Sequence, residues 1–303
     1  MQSAITSMSS EAFKQQFCNW LEAMHLQFAQ VQNVGELATE LAVFKDGTLL
    51  MNIMLITLAD WQHVQAQMWQ LTVDKAILLR ERGTRCVIVW EDYWLKNPAI
   101  VQSRLNAMLG KSQKIPARLT QVRRIDQADA ADFLQTNHLN GSVSAKSRYG
   151  LFLPKRYFRV IGNDFQFDDE ADELLVAVAT FSAPRVFQRV EGPFRSFEMV
   201  RFASLLHTNV SGGLDKLLTA FTREKNPDDL MTYADLEWSE GAGYAKLGFA
   251  RISQTAPMTF ILDLKNMTRH AKTADLDPNA TISVQNAGSI KFVKTLAKHA
   301  TDA

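Results

Sequence analysis

Between Phe197 and Leu218 the chain reads FEMVRFASLLHTNVSGGLDKLL, an apolar strand pattern leading through a polar loop into a helix opened by Gly212-Gly213. Glycines at a helix start let backbone N–H groups approach an anion closely, and the helix dipole adds favourable potential there. Such a turn suits a pyrophosphate, here at Ser211, Gly212, Gly213 and Leu214. The same residues equally suit a plain helix entry, with Ser211 as the cap. A second chemistry-bearing pair, Glu91-Asp92, follows an apolar strand, but no other carboxylate stands at metal-motif spacing from it, so no metal is expected. Cys18 and Cys86 lie outside any CxxC or Cys/His cluster, which points to a reducing compartment without structural zinc.

Charge adds a further candidate. The chain has 303 residues and a formal net charge of +1. That total conceals a strong division. From Tyr93 to Arg124 stand seven bases, Lys96, Arg104, Lys111, Lys114, Arg118, Arg123 and Arg124, and no acid. Residues 1 to 78 hold three bases against seven acids. A basic run of this kind suits contact with a phosphate backbone, although charge alone also allows a solvated helix face and linker. No cationic and apolar leader opens the sequence and no apolar run reaches about 18 residues, so a cytoplasmic protein with no membrane partner is expected.

The elements that must position these residues follow from periodicity. Phe13, Phe17, Trp20, Leu21 and Met24 mark one face of a first helix over residues 10 to 25. Two β-rich stretches, Leu37 to Phe44 and Thr48 to Leu58, flank the turn Lys45-Asp46-Gly47, a hairpin signal. The second stretch is apolar except for Asn52, as a strand covered on both faces would be. A helix from Gln62 to Arg82, a strand from Cys86 to Trp90 and a helix opened by Asn97-Pro98 complete a small α/β layer. The polar, basic segment Gly110 to Gln121 places a domain boundary near residue 118, giving domains over 1–117 and 118–303. The second domain predicts a helix from Asp126 to Asn137 and strands at Tyr149–Leu153, Leu174–Phe181 and Ser196–Ala203. A helix opened by the glycine pair follows, then strand Leu230–Ala234, helix Gly241–Leu247 and strand Thr259–Leu264. That is a mixed α+β sheet. The last twenty residues suggest a small terminal helix or strand.

From Phe133 to Leu264 the pattern resembles the GNAT acetyltransferase fold, in which a βα unit offers its helix start to the pyrophosphate of coenzyme A. In that family a later helix ends in a tyrosine followed by Leu-Gly-Phe, as Tyr244-Ala-Lys-Leu247-Gly248-Phe249 does here. The resemblance implies an acetyl-CoA or similar acyl-CoA donor and makes Tyr244 a general acid; a plain aromatic packing residue fits the same position. The family carries Gln or Arg, two residues and then Gly-x-Gly or Gly-x-Ala, whereas this chain has HTNVSGG.

A resemblance over more segments rests on FLQTNHLNG (Phe133–Gly141), YGLF (Tyr149–Phe152), LLVAVATFSAPR (Leu174–Arg185), EMVRF (Glu198–Phe202) and TYAD (Thr232–Asp235). Together these resemble the GNAT-fold region of Mom DNA-modification proteins and of phage homing-endonuclease-like proteins. The resemblance implies a cleft lined by Asn137, His138, Arg185, Glu198, Arg201, Asp235 and Ser239. His138 and Asp235 form its proton-transfer pair, Glu198 joins the catalytic set, and Arg185 and Arg201 take phosphate. A structural polar network of the same residues is the alternative. Residues Gly83 to Lys111 resemble the amino-terminal part of the same phage proteins, a restriction-endonuclease-like fold of the very short patch repair type. Its metal-binding acids are replaced here, with Asn52 on one strand and only Glu40 on the other.

The combined expectation is a small α/β restriction-endonuclease-like domain without nuclease chemistry, followed by a GNAT-like α+β domain. Double-stranded DNA is the expected partner, held by Lys111, Lys114, Arg118, Arg123 and Arg124, with transfer of a small acyl-type group to a base amine. A non-catalytic phage factor occupying DNA or a host protein in a bacterial cytoplasm is the alternative. A metal-dependent nuclease requires Glu40 and Asp92 to converge.

Overall fold

A computed structural model of the chain describes residues 2–31, 37–63, 66–162, 165, 167–168, 170–190, 192–271 and 276–296. The amino-terminal elements are α1 (Gln2–Ala23), β1 (Gln27–Val31), β2 (Thr39–Lys45), β3 (Thr48–Ile56), α2 (Leu58–Trp61), α3 (Ala66–Glu81), β4 (Cys86–Trp90), α4 (Glu91–Lys96) and α5 (Pro98–Met108). Then come β5 (Gln113–Pro116), β6 (Gln121–Arg124), α6 (Gln127–Asn137), β7 (Ser147–Pro154), β8 (Glu173–Phe181), β9 (Arg185–Arg189), β10 (Gly192–Ser204) and β11 (Thr208–Ser211). The last are α7 (Gly213–Lys225), β12 (Asp229–Asp235), α8 (Ala242–Lys246), β13 (Ala250–Gln254), β14 (Thr259–Asp263), β15 (Thr268–Ala271), β16 (Thr281–Gln285) and β17 (Ser289–Thr295).

The chain divides into two compact units, and neither is continuous in sequence. The first comprises Met1–Pro98, Tyr233–Ala242 and Ser253–Lys291; the second comprises Ala99–Thr232, Gly243–Ile252 and Phe292–Ala303. This division differs from the sequential split expected at 117/118. Backbone bonding makes the difference within the first unit. The Ile88 N–H of β4 donates to the Glu237 carbonyl, and Arg80 donates to the carbonyls of Leu236 and Glu237. Residues far along the chain thus satisfy groups that β4 and α3 would otherwise leave open.

In the first unit, β1–β2–β3–β4 form a sheet with antiparallel pairs up to β3 and a parallel β3–β4 pair. Asp46 and Gly47 both take positive φ, 50° and 74°, the conformation that a tight hairpin needs and that Asp-Gly supplies. The apolar β3 is buried from Met51 to Ile56, as expected for a doubly covered strand. Phe13, Phe17 and Leu21 of α1 are fully buried, one apolar stripe at helical spacing. The helix expected over Gln62–Arg82 is α3 over Ala66–Glu81, preceded by the short α2, whose start Thr57 caps by accepting from the Asp60 N–H. Pattern reading missed β1 and α4. A second sheet of this unit, β15–β14–β16, is antiparallel.

The second unit is built on a sheet of order β13–β17–β12–β10–β8–β7–β6, with β9 paired to β10. The expected mixed sheet is present: β7, β8 and β10 are antiparallel neighbours, while β10 and β12 run parallel. Phe181 and Phe221 stack with centroids 3.9 Å apart, joining β8 to α7, and Tyr149 meets both edge-on. Ala130, Phe133 and Leu134 of α6 pack against Val178 and Ala203. The carboxy-terminal segment resolves as the strand β17; residues 297–303 lie outside the described residues.

Candidate active site

In the second unit, β10 changes its pairing midway. It runs beside β12 only across Ser196–Glu198 and Asp229–Met231, after which Thr232 Oγ1 donates to the Met199 carbonyl at 3.1 Å. On its other side, register with β8 slips between Met199 and Arg201, so Val200 is an inserted residue. A bulge of this kind bends a strand and re-aims the side chains that follow it. Arg201 is the first residue beyond it. Its Nη1 donates to the Val200 carbonyl at 3.0 Å, and its Nε is buried without a partner.

Four further side chains of this unit belong with Arg201. His138 follows the last turn of α6, and its Nδ1 accepts the Asn140 N–H at 3.1 Å. Burial first, then the charges of Arg104 and Arg201, push its pKa down to about 3. A ring whose Nδ1 accepts carries its proton on Nε2, so His138 is a neutral hydrogen-bond donor at physiological pH. Burial raises the pKa of the Tyr244 phenol, opposed by a hydrogen bond with Thr232 and by Arg104. Its ring packs on Phe249 and Phe292 with centroids 5.8 and 5.6 Å away. Glu198 partly offsets the burial of Arg201, whose pKa is lowered. The group therefore combines two guanidinium charges, one carboxylate and two neutral proton donors, an arrangement suited to an anion or to developing negative charge. Sequence reading found His138, Glu198, Arg201 and Tyr244 but not Arg104, whose field reaches both His138 and Tyr244. Arg104 lies within the basic run that was read as a surface.

The other expected residues fall elsewhere. Asn137 is a clamp: its Oδ1 accepts the Leu206 N–H at 2.7 Å and its Nδ2 donates to the Phe133 carbonyl. Arg185 lies on the exposed β9. Asp235 and Ser239 belong to the first unit, where Asp235 Oδ1 accepts the Glu237 N–H at 2.9 Å and Ser239 Oγ accepts the Gly241 N–H at 3.3 Å. The engaged Nδ1 makes His138 a donor through Nε2, and Asp235 Oδ1 is occupied by the Glu237 N–H.

At the glycine pair, Gly212 takes φ 78° as the residue before α7, and a Cβ on Gly213 would stand 2.9 Å from the Val210 side chain. Backbone conformation and packing therefore already require both glycines. Ser211 and Gly212 are exposed and Leu214 is half-buried, so the first turn of α7 remains accessible to an anion. The preceding loop is not open in the same way. The Leu206 N–H is taken by Asn137, the His207 N–H by Ser103 Oγ at 2.8 Å, and Lys216 Nζ by the carbonyls of Ala117 and Thr120.

Of the expected DNA contacts, Lys111, Lys114, Arg118, Arg123 and Arg124 are all exposed. Arg123 pairs with Glu173 and lies over the Phe152 ring, while Arg124 pairs with Glu224 at 3.2 Å. The basic run is therefore partly neutralised by its own fold. In the first unit each acid that a nuclease would use is bound to a cation of its own. Glu40 accepts from Asn52 and pairs with Lys75 at 2.7 Å, and Asp92 pairs with Arg269 at 2.7 Å. Among the described residues no group of three His, Cys, Asp or Glu side chains is placed to hold a metal, and no helix is long and apolar enough to cross a membrane.

No protein-family pattern and no curated protein matches the sequence. Among solved structures the chain is similar to a Bacillus subtilis acetyltransferase in complex with CoA, with 14% identity, a TM-score of 0.32, and coverage of 59% of this chain and 99% of that one. It is similar also to the ribosomal-protein-S18-alanine N-acetyltransferase of Escherichia coli, with 11% identity, a TM-score of 0.32, and coverage of 61% and 98%. A third is Arabidopsis thaliana NAA60 in complex with a bisubstrate analogue, with 9% identity, a TM-score of 0.35, and coverage of 59% and 99%.

Proposed function

We propose that the second unit is a GNAT-type acyltransferase domain that moves an acyl group from an acyl-CoA donor to an amine. The observation that carries this reading is the position of the Tyr244 phenol, bonded to Thr232 where the β10–β12 pairing ends and within the field of Arg104. The accessible first turn of α7, Ser211 to Leu214, is where the pyrophosphate of acetyl-CoA or a similar donor would be held. Acyl-CoA supplies an activated thioester. Tyr244, kept protonated by burial, donates its proton to the leaving sulfur, and the His138 Nε2–H and Arg201 stabilise negative charge on the carbonyl oxygen. Glu198 is the carboxylate of the group and takes the proton lost by the amine.

The acceptor class proposed is a base amine of double-stranded DNA, in a phage or mobile-element protein of the bacterial cytoplasm. Exposed Lys111, Lys114 and Arg118 support that part of the reading. The first unit is read as a nuclease-like scaffold without nuclease chemistry. Its order of helix, three antiparallel strands, helix and parallel fourth strand supports the scaffold, and the cation-paired Glu40 and Asp92 support the loss.

Thermal melting with acetyl-CoA tests the donor. A ligand at roughly 100 times its Kd adds about 2.7 kcal/mol to stability, and no shift at millimolar ligand would leave only a binding protein for DNA or a host protein. Tyr244→Phe should keep that shift while losing transfer to a DNA acceptor. Retention on duplex DNA that weakens with salt and with Lys111→Gln, Lys114→Gln and Arg118→Gln tests the acceptor class.

A further inference from the structure

We propose that the β9–β10 hairpin is a binding arm for single-stranded nucleic acid, with Phe187 as a stacking platform and Arg185 and Arg189 binding phosphates. The proposal rests on the nucleic-acid part of the proposed function and deepens it by assigning a site separate from residues 111–118.

Every residue of β9 is exposed, and its one pairing partner among the described residues is β10. Alternate residues of a strand share a face, so Arg185, Phe187 and Arg189 stand in one row, with about 6.6 Å between neighbours in it. The antiparallel register places Phe194 opposite Phe187 and Ser196 opposite Arg185, on the same face. The row is therefore an aromatic flanked by two cations and backed by a second ring. The Arg189 guanidinium lies 3.3 Å from the Phe194 ring centroid. Stacking holds this fork in place before any ligand arrives.

Val186, Phe187 and Val190 are 53%, 51% and 101% exposed. Val186 lies on the opposite face of the strand, so the uncovered apolar surface of the row is Phe187, with Val190 at the turn beyond it. Arg185 and Arg189 flank Phe187 on that face, so the cover must also carry negative charge. A purely apolar partner would desolvate two guanidinium groups without return, and a second copy of this arm would bring like charges together. A polyanion with exposed ring faces satisfies both features, and only an unpaired strand offers free base faces for stacking. At the root of the arm, Arg189, Pro193, Phe194, Asp228 and Thr295 line a groove of about 230 Å³. That is below the usual range for a drug-sized ligand and leaves room for one planar group.

Fluorescence anisotropy of the full-length chain with a labelled oligothymidine, beside a duplex of equal length, tests the arm. Phe187→Ala should weaken oligothymidine binding about tenfold or more. Arg185→Gln with Arg189→Gln should reduce the slope of log affinity against log salt by about 1.4, roughly 0.7 for each phosphate no longer neutralised. Both variants should melt like the parent, because the side chains are exposed. Unchanged oligothymidine binding in both overturns the arm; if Lys111→Gln with Lys114→Gln and Arg118→Gln still lowers duplex affinity, the duplex reading survives alone. Oligothymidine binding that disappears in the hairpin variants, without duplex binding in the parent, upholds the arm and removes the duplex reading. Light scattering that shows a dimer broken by Phe187→Ala, with no oligonucleotide bound, overturns the arm and assigns the surface to a second copy instead.

Discussion

Arg269 closes both prongs of its guanidinium on the Asp92 carboxylate, Nε to Oδ2 at 2.7 Å and Nη2 to Oδ1 at 2.9 Å, across 177 residues of chain. Both side chains are buried, and the guanidinium also lies over the rings of Trp90 and Tyr93 at 4.7 and 4.2 Å. Arg269→Met should lower unfolding free energy by about 3–5 kcal/mol, since it leaves a buried carboxylate unpaired. Adding Asp92→Leu should restore much of that stability. Urea unfolding of the single and double variants measures the coupling, and additive effects would mean that the pair is not a unit.

Glu237 stands in the same cluster, fully buried, accepting from Trp90 Nε1 at 3.0 Å. Burial first, then Asp235, raises its pKa to about 8. The folded protein therefore holds a proton that the unfolded chain releases near the ordinary carboxylate pKa. Stability contributed by this group is full below that value and is lost as pH rises towards 8, with a slope approaching about 1.4 kcal/mol per pH unit. Glu237→Gln should remove the slope, so the stability difference between variant and parent should widen from about pH 5 to pH 8 in denaturant titrations.

His138 gives the opposite sign. Its folded pKa of about 3 lies below its ordinary value of 6.5, so it contributes stability above pH 6.5 that is lost as pH falls towards 3. Nitrogen-detected NMR should show a neutral ring, protonated at Nε2, down to pH 5. Arg104→Gln should raise the pKa while leaving it below 6.5, because burial is the larger cause and Arg104 the second. A ring that titrates near 6.5 in the parent would contradict the donor role.

Gly213 separates packing from ligand binding. Gly213→Ala presses a methyl against Val210 and should cost about 1–3 kcal/mol of stability. Acetyl-CoA protection, measured as the shift between free and liganded melts, should persist in that variant. Alanine keeps the backbone N–H that would meet the pyrophosphate, so a missing shift with unchanged stability would mean that the bare Cα of Gly213 serves the ligand and not the packing.

Much of the architecture was legible in local patterns. Asp-Gly between alternating apolar runs marked the β2–β3 turn, the Phe13–Phe17–Leu21 spacing marked the buried face of α1, and Asp126 marked the start of α6. These signals act over a few residues, where backbone sterics, caps and side-chain periodicity decide the outcome. The short elements β1, β5, β11 and α4 escaped because each owes its form to pairing or packing partners rather than to its own pattern.

The candidate site divides along the same line. Residue types and the resemblance of Tyr244–Phe249 to a family pattern picked out Tyr244, His138, Glu198 and Arg201 from the sequence by itself, together with a basic run. Tertiary structure alone brought the charge of Arg104 to bear on His138 and Tyr244, and tied Arg123 and Arg124 to Glu173 and Glu224. It alone turned Asp235 Oδ1 to the Glu237 N–H. Which charge meets which depends on burial and on contacts between distant parts of the chain, and neither is encoded in the spacing of neighbouring residues.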